Sequence, residues 1–226
     1  MGMNLNKSYD YFKPEQCPDK LHIIGCGSVG STVAELLVRL GLTNLVLYDF
    51  DTVEPHNITN QLFRDADVGK TKVDALKEIL IGINPDVAKD IKTSVQGYKS
   101  QPLSGFVFLC VDNIDTRREI VEHSKGNEFI KAMFDFRMRL EDAQHYAADW
   151  SEKGMVQNLL NTMKFTHAEA MAETPVSACN IALSVAPTVR MICSAGTANF
   201  MNFVKGAKIK KFIEINAFTF DMIAFE

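Results

Sequence analysis

Six residues, Gly25-Cys26-Gly27-Ser28-Val29-Gly30, have the spacing G-x-G-x-x-G between a short apolar run and a helical pattern. The chemistry that this spacing supports is anion binding by main-chain amides. Gly25 allows a tight turn, Gly27 lets the backbone approach a phosphate, and Gly30 lets the helix pack close to the sheet. A helix starting at Ser28 presents its N-terminal amides and the positive end of its dipole to an anion. Asp49 ends the next apolar run, where an acid takes the ribose hydroxyls of a bound nucleotide. By themselves these features describe an NAD-dependent oxidoreductase. Asp51, Asn57, Gln61, Arg64 and Lys72 then form a dense polar series that argues for another nucleotide. NAD has no use for a cation there. A triphosphate does: Lys72 can neutralise phosphate charge, and Asp51 or a later acid can hold Mg²⁺. Asp112 ends the apolar run 105–112, where ligands of open α/β sheets bind. It also fits the N-cap of a helix over 113–124.

These residues need an α/β frame. Residues 21–25 and 45–49 read as short buried strands on either side of a helix over 28–40, which Gly41 closes. A strand–helix–strand opening predicts a parallel sheet. A helix over 70–83, strands over 91–98, 105–112 and 129–136, and a polar region of mixed helix and loop over 137–175 follow. Residues 179–204 read as one long helix kinked at Pro187, and the last segment, from Lys210, as paired strands. The expected fold is α/β, with a Rossmann-like, mostly parallel twisted sheet, helices on both faces, and a C-terminal helix-plus-strand extension. We expect one domain over 1–226, with a nucleotide-binding half at about 20–136 and an extension at about 137–226.

Composition narrows the class. The 226 residues are 46% hydrophobic and 23% charged with a net charge of −4, which suits a folded, water-soluble chain. Without a dense Lys/Arg run, nucleic acid is disfavoured as a partner. The first twenty residues lack the apolar core of a secretory signal. Arg190 and Pro187 interrupt the longest apolar region, so no membrane span is expected. The five cysteines, at 17, 26, 110, 179 and 193, show no CxxC spacing. That argues against zinc and disulfides and for a cytoplasmic protein.

Four blocks in order, GCGSVGS, DFDTVEPHNITNQLF, DVGKTKVDAL and CVDNIDTR, resemble the ThiF/MoeB/HesA family, which shares its adenylation fold with the ubiquitin-activating enzymes. The match covers roughly residues 20–120. The compact chain and its Asn-Gln pair resemble standalone ThiF-type proteins of phages and plasmids. The resemblance implies activation of a carboxylate by ATP and Mg²⁺, giving an acyl-adenylate and pyrophosphate. The substrate would be the C-terminus of a ubiquitin-like or sulfur-carrier protein, a peptide or a small carboxylic acid. Asp49 would hold the ribose, Lys72 the phosphates and Asp112 the Mg²⁺, while Asn57 and Gln61 would line the phosphate pocket. A homodimer is implied too. A partner subunit that binds nucleotide without chemistry is the alternative.

Three departures qualify this. Asn60 stands where relatives carry arginine, in a loop one residue shorter; Arg64 compensates if residues 60–64 are helical, and otherwise is a surface residue. Many relatives borrow an N-terminal arginine from a partner subunit to clamp the γ-phosphate; no arginine precedes Arg39 here, so Lys7, Lys13 or Lys20 serves instead, or the clamp is absent. The zinc-binding CxxC pairs of many relatives are missing. Cys179, in TPVSACN at the expected helix start, is either a thioester-forming nucleophile or a buried structural thiol. Cys26, Cys110 and Cys193 read as packing residues. Arg137 and Arg139 alternate on an extended segment, as a face that steers an acidic tail or as an ion-paired edge. His145 and His167 read as surface residues or as groups with local hydrogen bonds.

Overall fold

A computed structural model describes residues 3–178 and 182–226. Its eight-stranded sheet has the order β3-β2-β1-β4-β5-β6-β7-β8. The strands are β1 (Leu21–Ile24), β2 (Leu45–Tyr48), β3 (Lys92–Ser94), β4 (Gly105–Leu109), β5 (Ile130–Met138), β6 (Asp142–Asp149), β7 (Phe212–Asn216) and β8 (Asp221–Phe225). Strands β3, β2, β1, β4 and β5 run parallel, and β6 to β8 continue antiparallel. The helices are α1 (Ser28–Arg39), α2 (Lys72–Ile83), α3 (Ile114–His123), α4 (Lys153–Asn161), α5 (His167–Ala172) and α6 (Ala186–Val204). The fold is the expected α/β, Rossmann-like arrangement.

The parallel strands are buried on both faces, which is why they read as continuous apolar runs. Leu21, Ile23, Leu47, Phe106, Phe108 and Phe134 face α1, α2 and α6, whereas Ile24, Tyr48, Val107, Leu109 and Met133 face α3 and α4. A register shift opposite Gly105/Phe106 leaves Lys131 as an extra residue in β5, so Ile130 and Ala132 serve opposite cores. The face under α6 is aromatic: Phe108 stacks on Phe134 at 5.2 Å, and Phe200 meets both edge-on.

Two expectations need correction. The polar region after residue 136 holds β6, the partner of β5, with Ala143, His145 and Ala147 buried under α6. The long helix begins at Ala186, and Pro187 sits in its first turn rather than at a kink. Proline favours that position because its missing N–H would be unpaired there anyway.

His145 is fully buried, not at the surface. Asn199 donates from Nδ2 to its Nε2 at 3.2 Å, so Nδ1 carries the proton and donates to the Asp135 carbonyl at 3.1 Å. Gly196 makes room for the ring: a Cβ there would lie 2.2 Å from Phe136 and 3.1 Å from His145. His22 is held likewise, accepting from Ser104 N at 3.3 Å and donating to the Tyr48 hydroxyl at 3.0 Å. Burial lowers both imidazoles to about 4 from an ordinary value of 6.5, with the Lys20 charge adding to the effect at His22. The unfolded chain therefore binds two more protons than the fold between pH 6.5 and 4. Stability is flat above that window and falls as pH drops through it, by about 1 kcal/mol per pH unit for each imidazole. Urea midpoints measured from pH 8 to pH 4.5 should show that onset near pH 6.5. A flat profile down to pH 5 would mean that the folded protein carries protonated imidazoles at these positions.

Candidate functional site

The carboxyl ends of β1, β2 and β4 lie side by side, and the chain leaves β1 toward β2 but returns from β3 to β4 on the other side. Ligands of open α/β sheets bind at such a switch point. The glycine loop stands there. Gly25 has φ +92, and a Cβ on it would lie 2.8 Å from the Cys110 backbone. A Cβ on Gly30 would come within 1.8 Å of the Gly25 carbonyl oxygen. These two glycines are fixed by packing. Gly27 has open space around its Cα and is the N-cap of α1 without a capping side chain. The first-turn amides thus have room for an anion beside them, as the spacing predicts.

Asp49 is buried beneath this loop. Its Oδ2 accepts from Cys26 N at 2.6 Å and its Oδ1 from Asp51 N at 2.9 Å, so it braces the glycine loop against the loop after β2. Burial raises its pKa, and the two amide bonds work against that rise. Each oxygen keeps a lone pair for a further donor such as a ribose hydroxyl.

Lys72 is delivered by a short antiparallel pinning. Val53 N donates to Lys70 O at 2.8 Å and Lys72 N to Asp51 O at 2.9 Å, around a bridge between Thr52 and Thr71. Lys72 Nζ then meets Asp51 Oδ2 at 2.8 Å. An ammonium has three donors, so two remain for phosphate oxygens. Asn57 is buried, but its Oδ1 is occupied by Glu54 N at 3.0 Å. The Gln61 Oε1 atom is buried without a hydrogen-bond partner among the described residues.

Several expected residues take other roles. Residues 60–64 are not helical, so the condition on which Arg64 would compensate for Asn60 is not met. Arg64 grips the buried Asp67 from Nε at 2.9 Å and Nη2 at 3.1 Å, and that bond foremost holds Asp67 down at about 2. The N-cap of α3 is Asn113, which accepts from Asp115 N at 2.9 Å and Thr116 N at 3.0 Å, not Asp112. Asp112 lies three residues beyond β4, exposed at the carboxyl edge. Lys20 precedes β1 at the opposite edge, where its carbonyl accepts from Phe106 N. Leu5 and Pro14 pack where a Cβ on Gly41 would stand, beyond the far end of α1, which places Lys7 and Lys13 there as well. That helix spans about 18 Å, so none of the three lysines reaches the glycine loop of its own chain.

Cys179 lies outside the described residues. Cys26, Cys110 and Cys193 are buried, and burial pushes their thiols up, Cys110 to about 12 and the others well above the usual value. That disfavours the thiolate that a nucleophile needs. Arg137 and Arg139 are both taken up in ion pairs, the edge that the sequence reading offers as its alternative. Arg139 pairs with Glu173, while Arg137 is enclosed over the Tyr146 ring at 4.4 Å and bound to Asp135. The backbone N–H of His167 donates to Asp115 Oδ2 at 3.1 Å, and its Nδ1 has no partner among the described residues.

Arg117, the last residue of the CVDNIDTR block, and Asp135 have no role in the sequence reading. Asp135 is fully buried, joined to Arg117 and to Arg137, and Arg117 also holds two carbonyls before Asp112, that of Leu109 at the end of β4 and that of Val111. Burial opposes the Asp135 charge, but the guanidinium groups of Arg137 and Arg117 outweigh it and keep the carboxyl below its ordinary range. An acid in the middle of an apolar strand was the available signal.

The arrangement combines unencumbered amides, a lysine ammonium, an unpartnered amide oxygen and an exposed carboxylate at one sheet edge. No cluster of three or more His, Cys, Asp and Glu occurs among the described residues. A magnesium ion on phosphates needs none, since it is commonly held by one or two carboxylates with the phosphate oxygens. Among the described residues, no helix is long and apolar enough to cross a membrane.

The sequence pattern of the ThiF family matches residues 18–226. Ubiquitin-like modifier-activating enzyme 5 of Oryza sativa subsp. japonica is 40% identical over 112 residues, which are 42% of this chain and 27% of that protein. The Rattus norvegicus protein of the same name is 27% identical over 218 residues, 85% of this chain and 48% of that one. The matches thus span about a quarter to a half of these relatives. Among solved structures, PaaA aligns with a TM-score of 0.71 at 19% identity, over 94% of this chain and 65% of that chain. Escherichia coli MccB solved with ATP aligns with a TM-score of 0.72 at 17% identity, over 93% and 64%. At such identities the likeness is one of fold.

Proposed function

The chain belongs to the ThiF family, and from that premise we propose that it is an ATP-dependent adenylyltransferase that activates a carboxylate. A carboxylate oxygen attacks the α-phosphorus of ATP. The bond from that phosphorus to the bridging oxygen breaks, and pyrophosphate leaves with the electron pair. The product is a mixed acyl-phosphate anhydride of AMP. Two anionic partners must meet, so the site has to offset their repulsion and the charge that develops on phosphate.

The observation that carries this reading is the convergence of Lys72, the α1 amides and Asp112 at the switch point. The ribose falls to Asp49, and Gly25, Gly27, Ser28 and Gly30 shape the loop beneath the phosphates. Gln61 lines the phosphate pocket, Asn57 holds the loop that carries it, and Asp51 aims Lys72. When bound, Mg²⁺ would supply phosphate charge neutralisation, with Asp112 as its protein ligand. The substrate class follows the relatives: proteins named for activating ubiquitin-like modifiers, and MccB solved with MccA. A protein or peptide C-terminus is therefore the proposed carboxylate. We assign the whole chain to one adenylation unit acting as a homodimer in the cytoplasm, a compartment that suits its free cysteines.

One observation favours a second reading, a nucleotide-binding partner subunit without turnover. Arg64 is engaged with Asp67 and the N-terminal lysines sit at the opposite edge, so no second cation from this set reaches the phosphates of the same chain. ATP–pyrophosphate exchange with Mg²⁺ and a panel of Gly-terminated proteins and peptides separates the two. Exchange that needs a carboxylate and falls by at least about 100-fold in Asp112→Ala is the expected result. ATP binding without exchange under every carboxylate would favour the partner subunit.

A further inference from the structure

Asp112 sits in the irregular span between β4 and α3, and its exposed carboxylate makes no hydrogen bond or ion pair among the described residues. The main chain before it is nonetheless gripped from one side. Arg117, within the second turn of α3, donates from Nη1 to Leu109 O at 3.2 Å and from Nη2 to Val111 O. On the other side, the Asn113 cap fixes where α3 begins. Arg117 is itself oriented by Asp135, whose second oxygen takes Arg137 Nε at 2.7 Å. Arg137 in turn donates to Thr162 O and Oγ1, both at 2.8 Å, at the end of α4. A run of charge-assisted bonds thus leads from the core to the residue preceding Asp112.

We infer that Arg117 is a positioning residue, which sets the Asp112 carboxylate toward a nucleotide-bound divalent cation by holding the Leu109 and Val111 carbonyls. The inference rests on the proposed role of Asp112. A planar guanidinium can hold two carbonyls two residues apart while also meeting a carboxylate; an ammonium keeps the charge but not that fork. Groups that orient a metal ligand in this way typically account for about 10- to 100-fold in metal affinity.

The test compares Arg117→Lys with Arg118→Lys. Arg118 is the neighbouring arginine of α3, and it also grips two carbonyls, Met163 O at 2.7 Å and Phe165 O at 2.6 Å, away from Asp112. Calorimetry measures ATP affinity with Mg²⁺ and with EDTA, beside the thermal unfolding midpoint and the Asp112→Asn variant. Arg117→Lys should bind metal-free ATP within about threefold of the parent and lose about tenfold or more of the gain from Mg²⁺, approaching Asp112→Asn. Arg118→Lys should keep that gain. If Arg117→Lys does not fold, Arg117→Gln, which retains one donor group, is read in the same way. A gain preserved in the Arg117 variant, or lost equally in both, overturns the inference. So does a parent protein whose ATP affinity ignores Mg²⁺. Exchange activity is scored separately: a parent with Mg²⁺-strengthened binding but no exchange would remove the adenylation proposal and leave Arg117 in its role.

Discussion

Lys72→Ala lowers ATP–pyrophosphate exchange by about 100- to 1000-fold while the protein stays folded. The magnitude is that of removing one preorganised charge from the place where transition-state charge develops. The structure separates this effect from stability. The Lys72 side chain is 10% exposed and its Asp51 partner 49% exposed. Removing the lysine therefore leaves a carboxylate that water can solvate, and a pair of this kind contributes at most about 1 kcal/mol. Urea midpoints of the variant and the parent should differ little. Lys72→Arg should recover part of the exchange, since charge at that place is what the reaction needs. Exchange within threefold of the parent in Lys72→Ala would show that the phosphates are neutralised elsewhere.

Asp135→Asn has the opposite character, a large loss of stability. Arg117 and Arg137 are nearly enclosed, with side chains 6% and 14% exposed, and Asp135 is fully buried between them. Removing its charge leaves two guanidinium groups inside the protein with their counter-charge gone. Breaking a buried pair on one side typically costs about 3–5 kcal/mol, which for a chain of this size is a drop of roughly 6–20 °C in midpoint. The pH dependence has a definite sign. The native carboxyl lies below its ordinary range, so its contribution is complete above that range and is lost only as pH falls through the native value. A thermal melt at pH 7.5 shows the full difference. A midpoint within 2 °C of the parent would mean that the two arginines are hydrated or paired otherwise.

The sequence was most legible where backbone geometry demands one residue type. Gly25 and Gly30 cannot carry a Cβ in this loop, and the apolar runs of β1, β2 and β4 are buried on both faces, so local pattern and tertiary environment agree. β6 escaped notice because its inward positions are Ala143, His145 and Ala147. They alternate correctly, but their side chains are small or polar, since α6 approaches closely at Gly196. The start of α6 was read too early because the apolar residues before it resemble a helix face, whereas Pro187 was the better marker. Within the site, the loop, Asp49 and Lys72 announced themselves by type and spacing. The grip of Arg64 on Asp67, the cap at Asn113 and the Arg117–Asp135 pair depend on which of several nearby groups the backbone brings into reach, and spacing alone does not settle that choice.

The two margins of the sheet differ in kind. β3 closes one side with three residues, among them Lys92, a short and charged border. β8 closes the other with Asp-Met-Ile-Ala-Phe, all exposed, behind a turn that bares Phe218 and Phe220. A strand of that composition, unpaired on one side among the described residues and with neither lysine nor proline along it, is a template onto which further strands can add. Self-association through added strands would therefore start at this margin.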